Sequence, residues 1–350
     1  MTHRSPRLNM VSEQPLNAET PHEALQEDLT RNDLFYVRNH FDVPKVHAES
    51  WRIRVDDKVR HPQQFSLRDL KNLPTRKMTV LLECAGNGRS TLNPPVKGTP
   101  WDLGAVSQAE FSGTPLHHLL EIVQPTKDAI EVLFVGADKG KVRTGEVTAY
   151  ARSLKLEMAY DPDVLLAWEM NGESLPRNHG YPLRLIVPNW YGMASVKWLN
   201  QISLIDKPYD GFFQTGDYVY VDAEGLPDGT PVRQMLVRSL ILNPIEQSEY
   251  KSGPLEINGI AWSGEGRIID VSISHDEGKN WISTNLEPPS GPYSWTRWKS
   301  IINIEHAGQM TLLSRATDSA GNVQPIAPVW NRGGYGNNPV HQVKFKIVSS

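Results

Sequence analysis

The stretch LLECAGNGRS (residues 81–90) contains Cys84, the only cysteine among 350 residues. A lone thiol cannot form an intrachain disulfide. The apolar run before it, residues 78–82, predicts a buried strand, and AGNG (85–88) predicts a change of chain direction. We therefore expect the Cys84 thiol at the end of a strand, where open α/β architectures present reactive groups to their ligands.

Sequence alone leaves two interpretations of Cys84 open. A free cysteine is commonly a small buried hydrophobe. Alternatively, nearby cations (Arg89 in the same stretch, Arg38 and His40 upstream) lower the thiol pKa and hold an anion, which favours nucleophilic or transition-metal chemistry. The chain has no CxxC pair, which disfavours a zinc site. A metal at Cys84 needs most of its donors from elsewhere, and an organic cofactor can supply them.

Length and composition indicate a globular chain with more than one core. At 39.3 kDa the chain is long enough for two domains. The net charge of -4 predicts neither a nucleic acid nor an anionic membrane as a partner. No apolar run approaches the roughly 20 residues that span a bilayer. The N-terminal residues show no signal-peptide pattern, so we expect a cytoplasmic location, or a periplasmic one if a leader had been removed.

The chain divides by pattern into three parts. Residues 1–30 are polar and contain three prolines, which predicts a mobile or surface-wrapping arm. Residues 31–225 contain predicted strands and short helices. They include a short helix that Ser66 would cap at its start and a strand from Glu131 that we expect to end at Gly136–Asp138. From about residue 234, short alternating runs separated by turns predict an immunoglobulin-like sandwich without a cysteine pair.

A cluster of charge surrounds one apolar strand in the middle part. LRLIV (183–187) is apolar enough to be buried on both faces, yet Arg184 lies within it, and His179 and Lys197 lie on either side. Unpaired buried charge is expensive, so these groups need a partner. A cofactor that carries phosphate would provide one.

Five segments together give the chain a family resemblance: YVRNHFDVP (36–44), ECAGNGRS (83–90), WDLGAVS (101–107), the long segment 164–199, and APVWN (327–331). In this order they resemble the sulfite oxidase family of molybdopterin enzymes. The resemblance implies an α+β protein. A mixed α/β molybdopterin-binding catalytic domain (31–225) is followed by an all-β immunoglobulin-like dimerisation domain (226–350).

The resemblance also assigns roles to residues of this chain. It makes Cys84 the metal ligand. It places these residues at the cofactor: Tyr36, Val37, Arg38, Asn39, His40, Asp138, His179, Arg184, Ser195, Val196 and Lys197. It places these residues at the substrate: Arg38, Arg89, Trp101, Tyr218 and Arg332. Vertebrate and plant members resemble W-N-L-R-G where this chain has Trp330-Asn331-Arg332-Gly333, so the arginine is displaced by one residue and its role is open.

Several of these residues also have a plain structural interpretation. Arg38 and His40 could be solvated groups on a surface strand. Trp101 could be ordinary core packing. Asp138 could cap a turn, and Tyr218 could belong to an exposed loop.

The expected activity is molybdenum-dependent oxidation of sulfite to sulfate by a homodimer with one molybdopterin. One cysteine excludes a CxxCH haem attachment, and the remaining length holds no haem module, so we expect no haem. Electrons then pass to an external acceptor, which could be a cytochrome, another carrier or dioxygen. Two alternatives stay open: oxo transfer to or from another substrate such as nitrate or an S-oxide, and a metal-free two-domain binding protein.

Overall fold

The computed structural model describes residues 7–349. Residues 1–6 of the predicted arm lie outside this range. In the first part of the chain the strands are β1 (Asn9–Glu13), β2 (Leu16–Glu19), β3 (Val37–Arg38), β4 (Arg52–Asp57), β5 (Gln63–Ser66), β6 (Arg76–Glu83), β7 (Val106–Pro115), β8 (Glu131–Lys141), β9 (Val147–Lys155), β10 (Leu165–Met170), β11 (Glu173–Ser174), β12 (Arg184–Ile186), β13 (Leu199–Ile205), β14 (Val219–Tyr220) and β15 (Thr230–Pro231). The α-helices are α1 (Leu67–Lys71), α2 (Leu116–Val123) and α3 (Leu156–Ala159).

The second part of the described chain is built from strands. They are β16 (Arg238–Asn243), β17 (Glu249–Lys251), β18 (Gly253–Trp262), β19 (Ile268–Ser274), β20 (Ile282–Ser283), β21 (Asn285–Leu286), β22 (Thr296–Ile304), β23 (Gly308–Asp318) and β24 (His341–Val348). Between residues 7 and 349, none of the helices combines the length and the apolar character needed to cross a membrane.

Two five-stranded sheets form the first domain. One contains β11-β10-β7-β6 with β12 added to β10, and the other contains β5-β4-β13-β8-β9. The predicted helix after Ser66 is present as α1, and Ser66 and Asp69 form a reciprocal capping box at its start. Because β6 ends at Glu83, the predicted position of Cys84 directly after a strand is confirmed.

One strand boundary was predicted wrongly. Strand β8 does not end at Gly136–Asp138 but continues to Lys141. Its pairing with β9 shifts register between Val135 and Lys139, so the glycine and aspartate mark a β-bulge and not a turn. The bulge lets the strand continue while Asp138 is turned towards the interior, where it is 5% exposed.

The described part of the arm wraps the surface and also enters the fold. Strands β1 and β2 form a hairpin, and β2 pairs with β3. Ala18 is fully buried, and the His22 ring bonds to the Leu242 carbonyl oxygen of the second domain at 2.9 Å. Residues 7–30 are therefore packed against both parts of the chain, and their description as a separate arm remains a prediction. The predicted boundaries at residues 31 and 226 remain predictions.

The second domain is the expected β-sandwich. One sheet has the order β16-β18-β22-β21 and the other β17-β24-β23-β19-β20. Alternate side chains of these strands form one apolar core that includes the fully buried Ile257, Trp298 and Phe345. The alternating runs predicted this architecture correctly because each sheet buries one face.

A buried ion pair joins the two domains beside the cysteine. Arg238 Nη1 of β16 lies 2.8 Å from Glu83 Oε1, and the two side chains are 5% and 1% exposed. Trp262 Nε1 donates to Glu83 Oε2 at 2.9 Å, and Asn87 Nδ2 donates to Oε1 at 3.0 Å. The carboxylate thus has a partner on each oxygen. The residue before Cys84 is thereby bonded to the β-sandwich.

We expect Arg238→Ala to lower the free energy of unfolding by about 3–5 kcal/mol, because it leaves the Glu83 carboxylate buried without its countercharge. Urea unfolding followed by tryptophan fluorescence measures the loss. Lys299→Ala is the matched control, since its pair with Glu287 is exposed and screened by solvent. Equal effects of the two variants would contradict a special role for the buried pair.

Candidate active site

Cys84 is held by backbone bonds on both sides of its turn. Its N–H donates to the Ala105 carbonyl oxygen at 2.9 Å, and its own carbonyl oxygen accepts from Asn87 N at 2.9 Å. A Cβ atom at Gly86 would lie 2.4 Å from the Arg89 guanidinium, so glycine lets the guanidinium keep its position in the turn. The turn therefore brings the thiol and the guanidinium of one short segment to the same place.

The thiol lies where two cavities meet. Three residues line both cavities: Arg38, Cys84 and Tyr218. The inner cavity is also lined by Phe35, Tyr36, His40, Leu82, Ala85, Asp138, Tyr150, His179, Arg184, Gly192, Met193, Ser195 and Lys197. The outer cavity, about 500 Å³, is also lined by Arg89, Lys97, Gly98, Thr99, Trp101, Arg143, Gly216, Asp217, Val219, Val221, Arg332, Gly333 and Tyr335.

Positive charge predominates in the inner cavity. Arg38, Arg184 and Lys197 line it against one carboxylate, that of Asp138. Burial, together with Arg184, lowers the pKa of Lys197 well below its usual value, and burial raises the pKa of Asp138 to about 6 despite Lys197. Burial also lowers the pKa of His179 to about 3, so its ring is neutral at pH 7. A bound anion would favour the charged forms of Lys197 and Arg184, whose pKa values burial lowers, and ligand N–H groups would favour the ionised form of Asp138.

Buried polar atoms around the inner cavity lack partners within the described chain. They are Asp138 Oδ1, Arg184 Nε and Asn39 Nδ2. The remaining donors are fixed: Arg184 Nη1 donates to the His179 carbonyl oxygen at 3.0 Å, and Lys197 Nζ donates to Asn39 Oδ1 and to the Asn178 carbonyl oxygen. A ligand that is both anionic and rich in N–H groups suits these atoms. Its N–H groups could donate to the carboxyl of Asp138, and its anionic group could accept from the Arg184 guanidinium and the Asn39 amide. A pterin that carries a phosphate has this chemistry, so the residues fit molybdopterin.

The thiol itself does not behave as expected from its neighbours. Burial raises the pKa of Cys84 more than Arg38 and Arg89 lower it, so the expectation of a depressed thiol pKa is wrong for the protein without metal. A metal ligand is deprotonated by the metal it binds, so the raised value suits a thiol that ionises on coordination.

The outer cavity brings several predicted substrate residues together. Arg89 is 8% exposed, and its Nη1 and Nε donate to the carbonyl oxygens of Thr99 and Gly333 at 2.8 and 3.0 Å. The Tyr218 hydroxyl bonds to His40 Nε2 at 2.7 Å, and burial together with Arg38 keeps the His40 pKa well below its usual value. Tyr218 is 3% exposed, so it does not belong to an exposed loop. Trp101 is fully buried and has no partner for Nε1.

Four predicted residues lie outside the two cavities or at the rim. Val37 is buried in strand β3, and Val196 belongs to the core, where its carbonyl oxygen accepts from Leu185 N at 2.8 Å. Asn39 does not line either cavity, but its Oδ1 accepts a hydrogen bond from Lys197 Nζ. Arg332 lines the outer cavity at its rim, but its side chain is 69% exposed and pairs with Asp222 at 2.7 Å. The Arg332 guanidinium is thus paired with a carboxylate. It is not available as an unpaired anion-binding group beside Cys84.

Sequence reasoning missed several lining residues. Tyr150, whose hydroxyl donates to the Met193 carbonyl oxygen at 2.6 Å, carries no recognisable local pattern. Asp217 and Tyr335 had signals in the sequence, because Asp217 directly precedes Tyr218 and Tyr335 lies two residues after the segment Trp330-Asn331-Arg332-Gly333. The loop that follows Trp330 does reach the site, since Gly336 N donates to the Ala85 carbonyl oxygen at 2.9 Å.

The fold and the donor set define a molybdopterin-dependent oxidoreductase. The family described as "Oxidoreductase molybdopterin binding domain" matches residues 40–213, and "Mo-co oxidoreductase dimerisation domain" matches residues 230–348. The metal-free binding protein is excluded as the class of this chain.

The chain belongs to the sulfite oxidase family. It is 36% identical to the sulfite oxidase of Gallus gallus, over 95% of this chain and 76% of that protein. It is 36% identical to the sulfite oxidase of Arabidopsis thaliana, over 99% of this chain and 96% of that protein. The sulfane dehydrogenase SoxCD from Paracoccus pantotrophus has a similar structure, with a TM-score of 0.83, 29% identity, and coverage of 98% of this chain and 90% of that one.

Other relatives are longer than this chain. The mitochondrial sulfite oxidase of Homo sapiens is 37% identical over 98% of this chain, which spans 66% of that protein. The NADH nitrate reductase of Cichorium intybus is 31% identical over 98% of this chain, which spans 41% of it.

We expect Lys197→Met to purify with less pterin than the unaltered protein, because it removes a buried cation that faces the inner cavity and interacts with Asp138. Fluorescence of the oxidised pterin released by denaturation measures the content. Lys77→Met, which alters an exposed lysine on β6, is the control and should retain full content. Unchanged pterin in both variants would remove Lys197 from the cofactor site.

Proposed function

We propose that this protein catalyses molybdenum-dependent oxidation of sulfite to sulfate and passes the electrons to an external acceptor. The observation that carries the proposal is the meeting of two cationic cavities at Cys84. The inner one suits a phosphate-bearing pterin, and the outer one suits a small anionic substrate. Similarity to sulfite oxidases over most of the chain supports the choice of substrate.

The cofactor would be held by the chain on two sides. Cys84 would ligate the metal, while Arg184, Lys197 and Asp138 would bind the phosphate and the pterin N–H groups. When bound, molybdenum–molybdopterin supplies the two-electron redox couple and the oxygen atom that sulfite needs. The chain's own contribution is therefore binding, orientation and electrostatics.

The outer cavity would capture and orient the substrate. Arg38 and Arg89 line it near Cys84, and sulfite is a dianion that can accept charge-assisted hydrogen bonds from both. The Tyr218 hydroxyl, held by His40, would donate to a substrate oxygen. Trp101 closes the wall and excludes water, which strengthens these interactions. Arg332 lies at the rim, where Asp222 pairs with its guanidinium, so we assign it no direct bond to the substrate.

The acceptor is proposed by chemical class. We propose that electrons leave to an acceptor outside these 350 residues, which is a cytochrome, another carrier or dioxygen. A cytoplasmic location also remains a prediction, which cell fractionation tests. The match of residues 230–348 to a dimerisation domain supports a homodimer, for which light scattering should give a mass near twice 39.3 kDa.

The activity is tested on protein with measured molybdenum content. We expect steady-state oxidation of sulfite with ferricyanide as the oxidant, with cytochrome c, or with each of them. We expect no oxidation of sulfite when nitrate replaces these oxidants. Cys84→Ser should abolish turnover because a hydroxyl is a poorer ligand than a thiolate for molybdenum. A serine variant that oxidises sulfite normally at full molybdenum occupancy would exclude Cys84 as the ligand.

The anion site is tested by two charge deletions. Arg38→Gln and Arg89→Gln should each raise KM for sulfite by about 10- to 150-fold, since a hydrogen bond to a charged group contributes about 1.5–3 kcal/mol. Arg54→Gln is the control, because that arginine lies on the surface and pairs with Asp56. If both cavity variants keep the KM of the control, the substrate binds elsewhere.

A further inference from the structure

We propose that Tyr335 is a positioning residue that keeps the Arg89 guanidinium available for the substrate anion by separating it from the Asp217 carboxylate. The inference rests on the proposed function, because it concerns substrate binding in the outer cavity. The loop of residues 331–336 then raises the affinity for the substrate through Tyr335. The displaced Arg332 does not provide this effect.

The loop holds Tyr335 in place by bonds of its own. Asn331 Nδ2 donates to the Tyr335 carbonyl oxygen at 2.8 Å, and Tyr335 N donates to Asn331 Oδ1 at 3.0 Å. Gly334 has a φ of 59°, and a Cβ atom there would lie 2.6 Å from Val96. Backbone conformation and packing thus fix the residue before Tyr335. The Tyr335 ring is directed inward and is 8% exposed.

Three contacts of Tyr335 converge on the outer cavity. The Arg89 guanidinium carbon lies 5.3 Å from the centre of its ring, within the range of a cation–π interaction. The rings of Tyr335 and Tyr218 have centroids 5.3 Å apart. Burial raises the pKa of the Asp217 carboxyl, and the neighbouring Tyr335 hydroxyl opposes that rise by hydrogen bonding. One side chain therefore touches a proposed anion-binding cation, the neighbouring tyrosine and the carboxylate.

Asp217 is the reason that such a residue is needed. The side chains that line the outer cavity include five cations (Arg38, Arg89, Lys97, Arg143 and Arg332) and one carboxylate, that of Asp217. A free carboxylate beside an arginine forms a bidentate pair readily and would compete with sulfite. Tyr335 satisfies the Asp217 carboxylate with its hydroxyl and covers one face of Arg89 with its ring. Arg89 Nε and Nη1 already donate to the Gly333 and Thr99 carbonyl oxygens, so Nη2 is the group that stays open to the substrate.

The test compares two replacements in the molybdenum-loaded full-length protein. Tyr335→Leu removes the ring and the hydroxyl, so KM for sulfite should rise about tenfold while kcat changes less than twofold. Tyr335→Phe keeps the ring and loses only the hydroxyl, so KM should rise about two- to threefold. The inhibition constant of sulfate, which binds without electron transfer, should rise by the same factors.

A double variant separates positioning from simple loss of structure. Tyr335→Leu/Asp217→Asn should recover most of the lost affinity, because the competing carboxylate is gone. A structural defect would not be rescued in this way. Tyr250→Phe, which removes two hydrogen bonds in the β-sandwich far from the cavity, controls for weakening of that domain and should keep the normal KM.

The outcomes distinguish the inference from the proposed function. If the unaltered protein oxidises sulfite and Tyr335→Leu keeps its KM, or loses only kcat, the inference is overturned. If the loaded protein does not oxidise sulfite at all, the proposed function fails. Calorimetric titration with sulfate then still decides the inference, since Tyr335→Leu should bind the oxyanion about tenfold more weakly. Equal sulfate affinities would overturn it.

Discussion

The buried pair between Glu83 and Arg238 is the interaction on which the geometry of the site depends. It fixes the residue before Cys84 to the first strand of the β-sandwich, at 2.8 Å and almost without solvent. Both domains contribute to the outer cavity, since Arg89 comes from the first and Tyr335 from the second. A shift between the domains would therefore separate the guanidinium from the ring. Unlike an apolar contact, a buried ion pair has one favourable register, which suits this role.

Much of the fold could be predicted from the sequence because its signals are local. The alternating runs after residue 234 indicated the sandwich, Ser66 indicated the start of α1, and the apolar run before Cys84 indicated β6. The end of β8 could not be predicted, because glycine and aspartate are common to turns and bulges alike. The register shift depends on the partner strand β9, which lies later in the chain.

The site could be predicted from the sequence only in part, because the partners of a side chain decide its role. The lone Cys84 allowed a buried hydrophobe or a metal ligand, whereas the cations around residues 183–187 indicated an anionic cofactor. Arg332 illustrates the opposite case. Its sequence position suggested the substrate, but Asp222, 110 residues away, takes its guanidinium. Tyr335 belongs to the same loop, and only packing shows that its ring lies against Arg89.

Charge balance connects the cofactor with the stability of the chain. Arg184 and Lys197 are buried beside one carboxyl whose pKa is itself raised to about 6, so the inner cavity holds charge that the chain does not fully compensate. Such an arrangement costs free energy in the empty protein. An anionic pterin removes that cost only in the folded state, so its binding energy adds to folding stability. The residues that we propose to bind the cofactor would thus also make the stability of the folded protein depend on it.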